Sequence, residues 1–192
     1  MGTSDEMGIL DSRAALEGQL RECFGRVVYS HKTHEKCADI LQARLSVLKT
    51  AQVALSALTT AGFIAAIVGS GPAGAIFGSL VSAVLLLLNA YMKNFDLGET
   101  AQKHRQAGAE LWHVREAYLS LLTDLRAQDV TLDEIRRRRD ELLESLRDAY
   151  AGAPSTTYRA YKKAQDSLKY KEDMTFSDKE IDAFLPGELH RA

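Results

Sequence analysis

The stretch TAGFIAAIVGSGPAGAIFGSLVSAVLLLLNAYMK, residues 60–93, decides how this chain folds. From Thr50 to Met92 there is no charged side chain in 43 consecutive positions. Yet mean hydropathy over the whole chain is −0.18 and 26% of residues are charged. All 24 Lys+Arg and 26 Asp+Glu therefore lie outside the run. A bilayer core takes about 20 apolar residues as helix, so the run suffices for two crossings and a turn. The turn is Gly69-Ser70-Gly71-Pro72-Ala73-Gly74, rich in residues that break helices and fit tight loops. It divides the run into segments 50–68 and 75–92. The competing reading is a buried hairpin of a soluble bundle. A soluble helix keeps a charged face, and neither segment has one.

Residue phase along the two segments assigns faces. At about 100° per residue, Gln52, Ser56, Thr59 and Phe63 share a sector with Thr60 at its border, and Ala57, Ala61 and Ala65 lie opposite. In the second segment Gly74, Gly78, Ser82 and Asn89 share a face, and Gly74-x-x-x-Gly78 is a close-approach pattern. The simplest packing sets the alanine row against the glycine row, with Gly71 and Pro72 shaping the turn. Gln52, Ser56, Thr59 and Thr60 then face sister subunits or water and are the candidate pore lining. Hydroxyls bonded back to their own helix are the plain alternative for each Ser or Thr.

Flanking charge sets the orientation. Lys32, Lys36, Arg44 and Lys49 precede the hairpin, and Lys93, Lys103 and Arg105 follow it. Lys and Arg accumulate on cytoplasmic flanks, so both termini are expected inside a cytoplasmic membrane. The expected organisation is a flexible N-terminus (1–11), a cytoplasmic helix (12–49), the hairpin (50–92), cytoplasmic helices (93–151) and a helical tail (152–192). The fold class is an all-α membrane protein, a transmembrane hairpin extended by long cytoplasmic helices into a bundle.

Before the hairpin, Leu16, Leu20, Cys23, Val27, His31, His34, Ala38, Leu41, Leu45 and Leu48 recur at steps of three and four. That is a helical seam of heptad type. It enters the first membrane segment without Gly or Pro, so one helix is expected from about Ser12 to Val68. If the seam joins subunits, the polar stripe lies near the axis of a homo-oligomer. A second soluble helix is expected over about 100–127, with Leu111, Val114, Tyr118, Leu121 and Leu125 at the same steps. Thr131-Leu-Asp-Glu134 reads as a capping box opening a third. Its Arg136–Arg139 run is followed by Asp140, Glu141 and Glu144, so a solvated, salt-bridged surface is expected rather than a phosphate site. A short helix near Tyr158–Lys169 and a turn capped by Ser177 and Glu180 complete the chain.

Several chemistries find no footing. The net charge of −2 gives no reason to expect nucleic-acid binding. Cys23 and Cys37 have neither zinc nor CxxC spacing and read as small apolar residues. The acidic start MGTSDEMG lacks the apolar core of a signal peptide. His31-x-x-His34-x-x-Cys37 sets three possible ligands on one face but has no fourth partner, so no metal is expected. No phosphate loop, nucleophile elbow or paired carboxylate stands out. Neither enzyme nor cofactor is expected.

The stretch YSHKTHEKCADIL (29–41), the hairpin, and the exit FSDKEIDAFLPGEL (176–189) together resemble the SLATT family over residues 14–190. These are small two-transmembrane proteins associated with SMODS nucleotidyltransferases and SLOG sensor domains in bacteria. The resemblance implies a pore-forming or membrane-disrupting effector in a nucleotide-signalled anti-phage system, working with second-messenger signalling partners. It supplies no catalytic residues. The alternatives are a non-conducting membrane-anchored scaffold and a holin-like lysis protein.

Overall fold

The computed structural model describes residues 2–69, 72–171 and 174–191, and the side chains from residue 7 onward within these ranges. The turn candidate Gly71 lies outside the described residues. The described elements are helices in the order α1 Gly2–Val68, α2 Ala73–Asn94, α3 Leu97–Ala127, α4 Leu132–Ala151, α5 Tyr158–Tyr170 and α6 Asp178–Asp182, then a 3₁₀ turn Gly187–Leu189. There is no strand among the described residues. The all-α class read from the sequence is the one observed.

Proline placement explains the punctuation. Pro72 precedes α2, Pro154 lies between α4 and α5, and Pro186 precedes the 3₁₀ turn. None interrupts α1, whose 67 residues span about 100 Å at 1.5 Å each. The helix begins ten residues before the start expected from periodicity, and at that end Met7, Ile9 and Leu10 are exposed.

Helices α2 and α3 return along α1 one after the other, each packed on it. Between them the chain breaks at Phe95 and Asp96. The Asp96 carboxylate accepts from the Glu99 amide at 2.8 Å, restarting the helix as an N-cap does. Helix α4 folds back on α3, and α5 lies on α1. Thr131 caps α4 by accepting from the Glu134 amide. The other half of the expected box is not formed, because the Glu134 carboxylate takes Arg137 and Arg138 instead. At Ser177 and Glu180 both halves are present.

The seam is the core. Leu16, Leu20, Cys23 and Val27 of α1 are buried with Leu111, Val114, Tyr118, Leu121 and Leu125 of α3, and α4 adds Ile135 and Ala149. So this part of the heptad-type pattern, Leu16 to Val27, is covered from within the chain. The periodicity specifies an apolar stripe that must be covered, and α3 covers it. Around this core the Arg run is paired as expected. Arg136 meets Asp133 at 2.8 Å, Arg137 meets Glu134 and Glu141, and Arg138 reaches Asp124 of α3 at 3.0 Å. Arg139 donates to Gln19 of α1 at 3.0 Å.

Candidate functional site

Residues 50–92 make a hairpin that packs only along its inner line. In each of its two helices just 6% of the most apolar 18-residue window is buried. A hairpin inside a soluble bundle would be covered on most sides. Here Val53, Ile64, Ile67, Leu80, Val84, Leu86 and Leu87 are all more than half exposed. Leaving that surface in water would be very unfavourable, whereas a bilayer accepts it. Tyr91 and Phe95, with ring centroids 4.9 Å apart, stand at the base of α2 where aromatic residues favour the membrane boundary.

Along the inner line the helices touch through backbone. A Cβ built on Gly62 would lie 2.8 Å from the Gly78 Cα and 3.2 Å from the Gly74 carbonyl oxygen. One built on Gly74 would lie 2.8 Å from the Ala66 nitrogen. Only hydrogen fits at those two positions, as in small-residue membrane interfaces. Gly74 and Gly78 thus face α1 as expected, but their opposite number is the line Thr59–Gly62–Ala66. The row Ala57, Ala61, Ala65 is exposed. The contact is rotated by about one residue, roughly 100°, because the seam's own phase carries through to Gly62, which allows closer approach than any alanine. Ser82 is half-buried further along α2.

The same rotation divides the polar stripe. Thr59 sits on the hairpin line, its carbonyl 3.5 Å from a Cβ built on Gly78. Ser56 and Thr60 are exposed on the outer surface, and Gln52 is half-buried. The three hydroxyls donate to carbonyls four residues back, at 2.9, 2.9 and 3.0 Å. Among the described residues the amides of Gln52 and Asn89 make no side-chain hydrogen bond. Pro72 stands just before α2.

Between core and hairpin, α1 and α3 are joined by polar contacts. His31 Nδ1 donates to the Gly108 carbonyl at 2.8 Å, which fixes its tautomer. His34 and His104, each 3% exposed, meet Nδ1 to Nδ1 at 3.0 Å. Such a contact needs one ring nitrogen to donate and the other to accept, so the accepting ring is neutral. Burial, then the neighbouring rings His104 and His31, lowers His34 to about 4. Burial lowers His104 also. Next to this pair in sequence, Arg105 bridges Glu35 and Asp39. A Cβ on Gly108 would lie 2.8 Å from the Glu35 carboxylate, a clash that a small swing of that flexible side chain relieves. Leu41 and Leu45 continue the line toward the membrane, half-buried. The seam histidines join α1 to α3, and among the described residues no group of three or more His, Cys, Asp or Glu could hold a metal ion.

His104, Glu35 and Gly62 were not singled out from the sequence, and Arg105 only as a flanking charge. Stepping the α3 periodicity back from Leu111 by three and four reaches Gly108, His104 and Ala101, so part of this was accessible. The pairing of His34 with His104, 70 residues away, was not.

A charge-free hairpin bare to its surroundings, closed on a glycine line and carried by a helical stalk, defines a two-span membrane protein. The chain belongs to the SMODS and SLOG-associating 2TM effector domain family 4, whose model matches residues 16–180. It is thus a membrane protein of an effector-domain family. No curated protein and no solved structure matches it.

Proposed function

We propose that the protein is an inner-membrane effector that permeabilises the bilayer when a signal reaches its helical stalk. Both termini lie in the cytoplasm, and the signal is passed on by a nucleotide-signalling partner. Several copies associate through the outer faces of their hairpins. The observation that carries this reading is the Gln52 amide, set in a charge-free membrane helix and making no side-chain hydrogen bond among the described residues. An amide in hydrocarbon is costly to leave unpaired, so another copy or water must meet it. Ser56 and Thr60 border it on the outer surface. A lining of amide and hydroxyl groups without fixed charge suits a weakly selective leak. Since α3 already fills the stalk seam, the assembly uses the membrane faces.

Membrane potential tests this directly. Cells induced to express the chain with its neighbouring genes are followed with a voltage-sensitive dye and a large DNA-binding dye. Depolarisation while the DNA dye stays out is the expected result. Entry of both dyes would favour a lysis protein, and an unchanged potential with the signal present would favour a non-conducting scaffold.

A further inference from the structure

Where the stalk meets the membrane, α1, α5 and the α2–α3 junction enclose an open cleft of about 690 Å³. Its floor is apolar, formed by Ile40, Val47, Leu48 and Leu97, with Tyr91 at one side. Three cations reach it from two helices, Arg44 of α1 with Arg159 and Lys163 of α5. Among the described residues these three make no ion pair and no side-chain hydrogen bond. The contrast with Arg136–Arg139, all engaged, is sharp. Asp39 also lines the cleft, but its carboxylate is taken up by Arg105 at 2.6 Å and Lys36 at 3.9 Å.

Position selects the occupant. Val47 and Leu48 lie two or three residues before Thr50, within about 5 Å along the helix axis of the charge-free run. Phospholipid phosphates lie at that depth, and basic pockets beside membrane helices on the cytoplasmic side receive such headgroups. We infer that this cleft binds the phosphate of an anionic phospholipid, with Arg44, Arg159 and Lys163 on the headgroup and the Val47–Leu97 floor against the first part of an acyl chain. A headgroup held there ties α5, which otherwise packs on α1, to the membrane surface. The other prominent cleft on α1, about 340 Å³ and rich in hydroxyls from Ser30, Thr33, Tyr150, Ser155 and Thr156, has no cation on its walls. It offers nothing comparable to an anion. The inference uses the membrane placement of the hairpin and holds whether or not the hairpins conduct.

The test titrates the full-length protein in neutral detergent with phosphatidylglycerol or phosphatidylcholine and reads bound lipid by native mass spectrometry. Arg44→Gln/Arg159→Gln/Lys163→Gln is expected to weaken phosphatidylglycerol binding about a hundredfold, from about fivefold per cation. Phosphatidylcholine binding should not change, and the α4 control Arg136→Gln/Arg137→Gln should bind both lipids as the parent does. All three cleft cations are exposed, so far-UV circular dichroism of the triple variant should match the parent. Equal loss in the α4 control, or full retention in the triple variant, would overturn the site. Inorganic phosphate or adenosine monophosphate binding without lipid, and lost in the triple variant, would overturn the lipid assignment in favour of a free phosphate ligand. No step reads ion flux, so failure of the pore reading would leave this result standing.

Discussion

Gly62 and Gly78 face each other across the hairpin so closely that a methyl group on Gly62 would lie 2.8 Å from the Gly78 Cα. The relationship is not symmetric. A methyl group on Gly78 would find its nearest neighbours at 3.5 Å, ordinary contact distance. Gly62→Ala must push backbone against backbone and should cost about 1–3 kcal/mol, the usual range for overpacking. Gly78→Ala should stay within about 0.5 kcal/mol of the parent. Thermal unfolding of the two variants in one detergent measures the difference, and equal melting points would mean the helices do not meet through Gly62.

The histidine joint makes stability depend on pH. His34 is lowered from its ordinary 6.5 to about 4, chiefly by burial, and His104 is lowered too. The unfolded chain then binds protons that the folded chain refuses, so folding is weakened as pH falls. The contribution is complete above about pH 7. For His34 it drains between 6.5 and about 4, at up to about 1.4 kcal/mol per pH unit, and His104 adds in the same direction. Replacing both rings, His34→Leu/His104→Leu, removes the pair without stranding a partner and should flatten this dependence. Melting temperatures at pH 7.5, 6 and 5 supply the test. A double variant with the parent's full slope would place the pH sensitivity elsewhere.

Tyr118 is wholly buried, and among the described residues its hydroxyl has no nitrogen or oxygen partner. Burial pushes it up to about 12, with the Cys23 thiol beside it a smaller cause. An unsatisfied buried hydroxyl is a burden, so Tyr118→Phe should stabilise the stalk by about 1 kcal/mol. Loss of stability on chemical denaturation would instead reveal a working bond from the hydroxyl to the Cys23 sulfur.

Gln52 separates from its hydroxyl neighbours in its demand for a partner. The hydroxyls of Ser56 and Thr60 already bond within α1, whereas the Gln52 amide has no hydrogen bond among the described residues. Under the proposed function, Gln52→Leu should reduce ion flux through reconstituted liposomes about tenfold, a loss of about 1.4 kcal/mol in transit. Ser56→Ala and Thr60→Val should change it less. Membrane insertion should be intact in all three. Normal flux in the Gln52 variant would remove this residue from the lining.

Much of the architecture was legible because it rests on local rules. Absence of charge over 50–92 marked the hairpin, and Pro72 with its glycines marked the turn. Steps of three and four from Leu16 to Val27 and from Leu111 to Leu125 marked the faces that are buried. Ser177 and Glu180 announced a cap that forms in full. The Thr131 cap forms by half, because Glu134 is claimed by arginines whose competition a four-residue motif does not express.

Sequence by itself determined the helices, their apolar faces and the membrane run, since each follows from side-chain chemistry repeated along one segment. Tertiary structure alone decided which faces meet. It covered the seam from Leu16 to Val27 with α3 and set Gly62 rather than the alanine row against Gly78. It also brought His34 to His104 and gathered Arg44, Arg159 and Lys163 into one cleft. Periodicity states that a face must be covered. What covers it depends on how closely backbones approach and on which distant side chains complete each other's hydrogen bonds, and neither is encoded within a single helix.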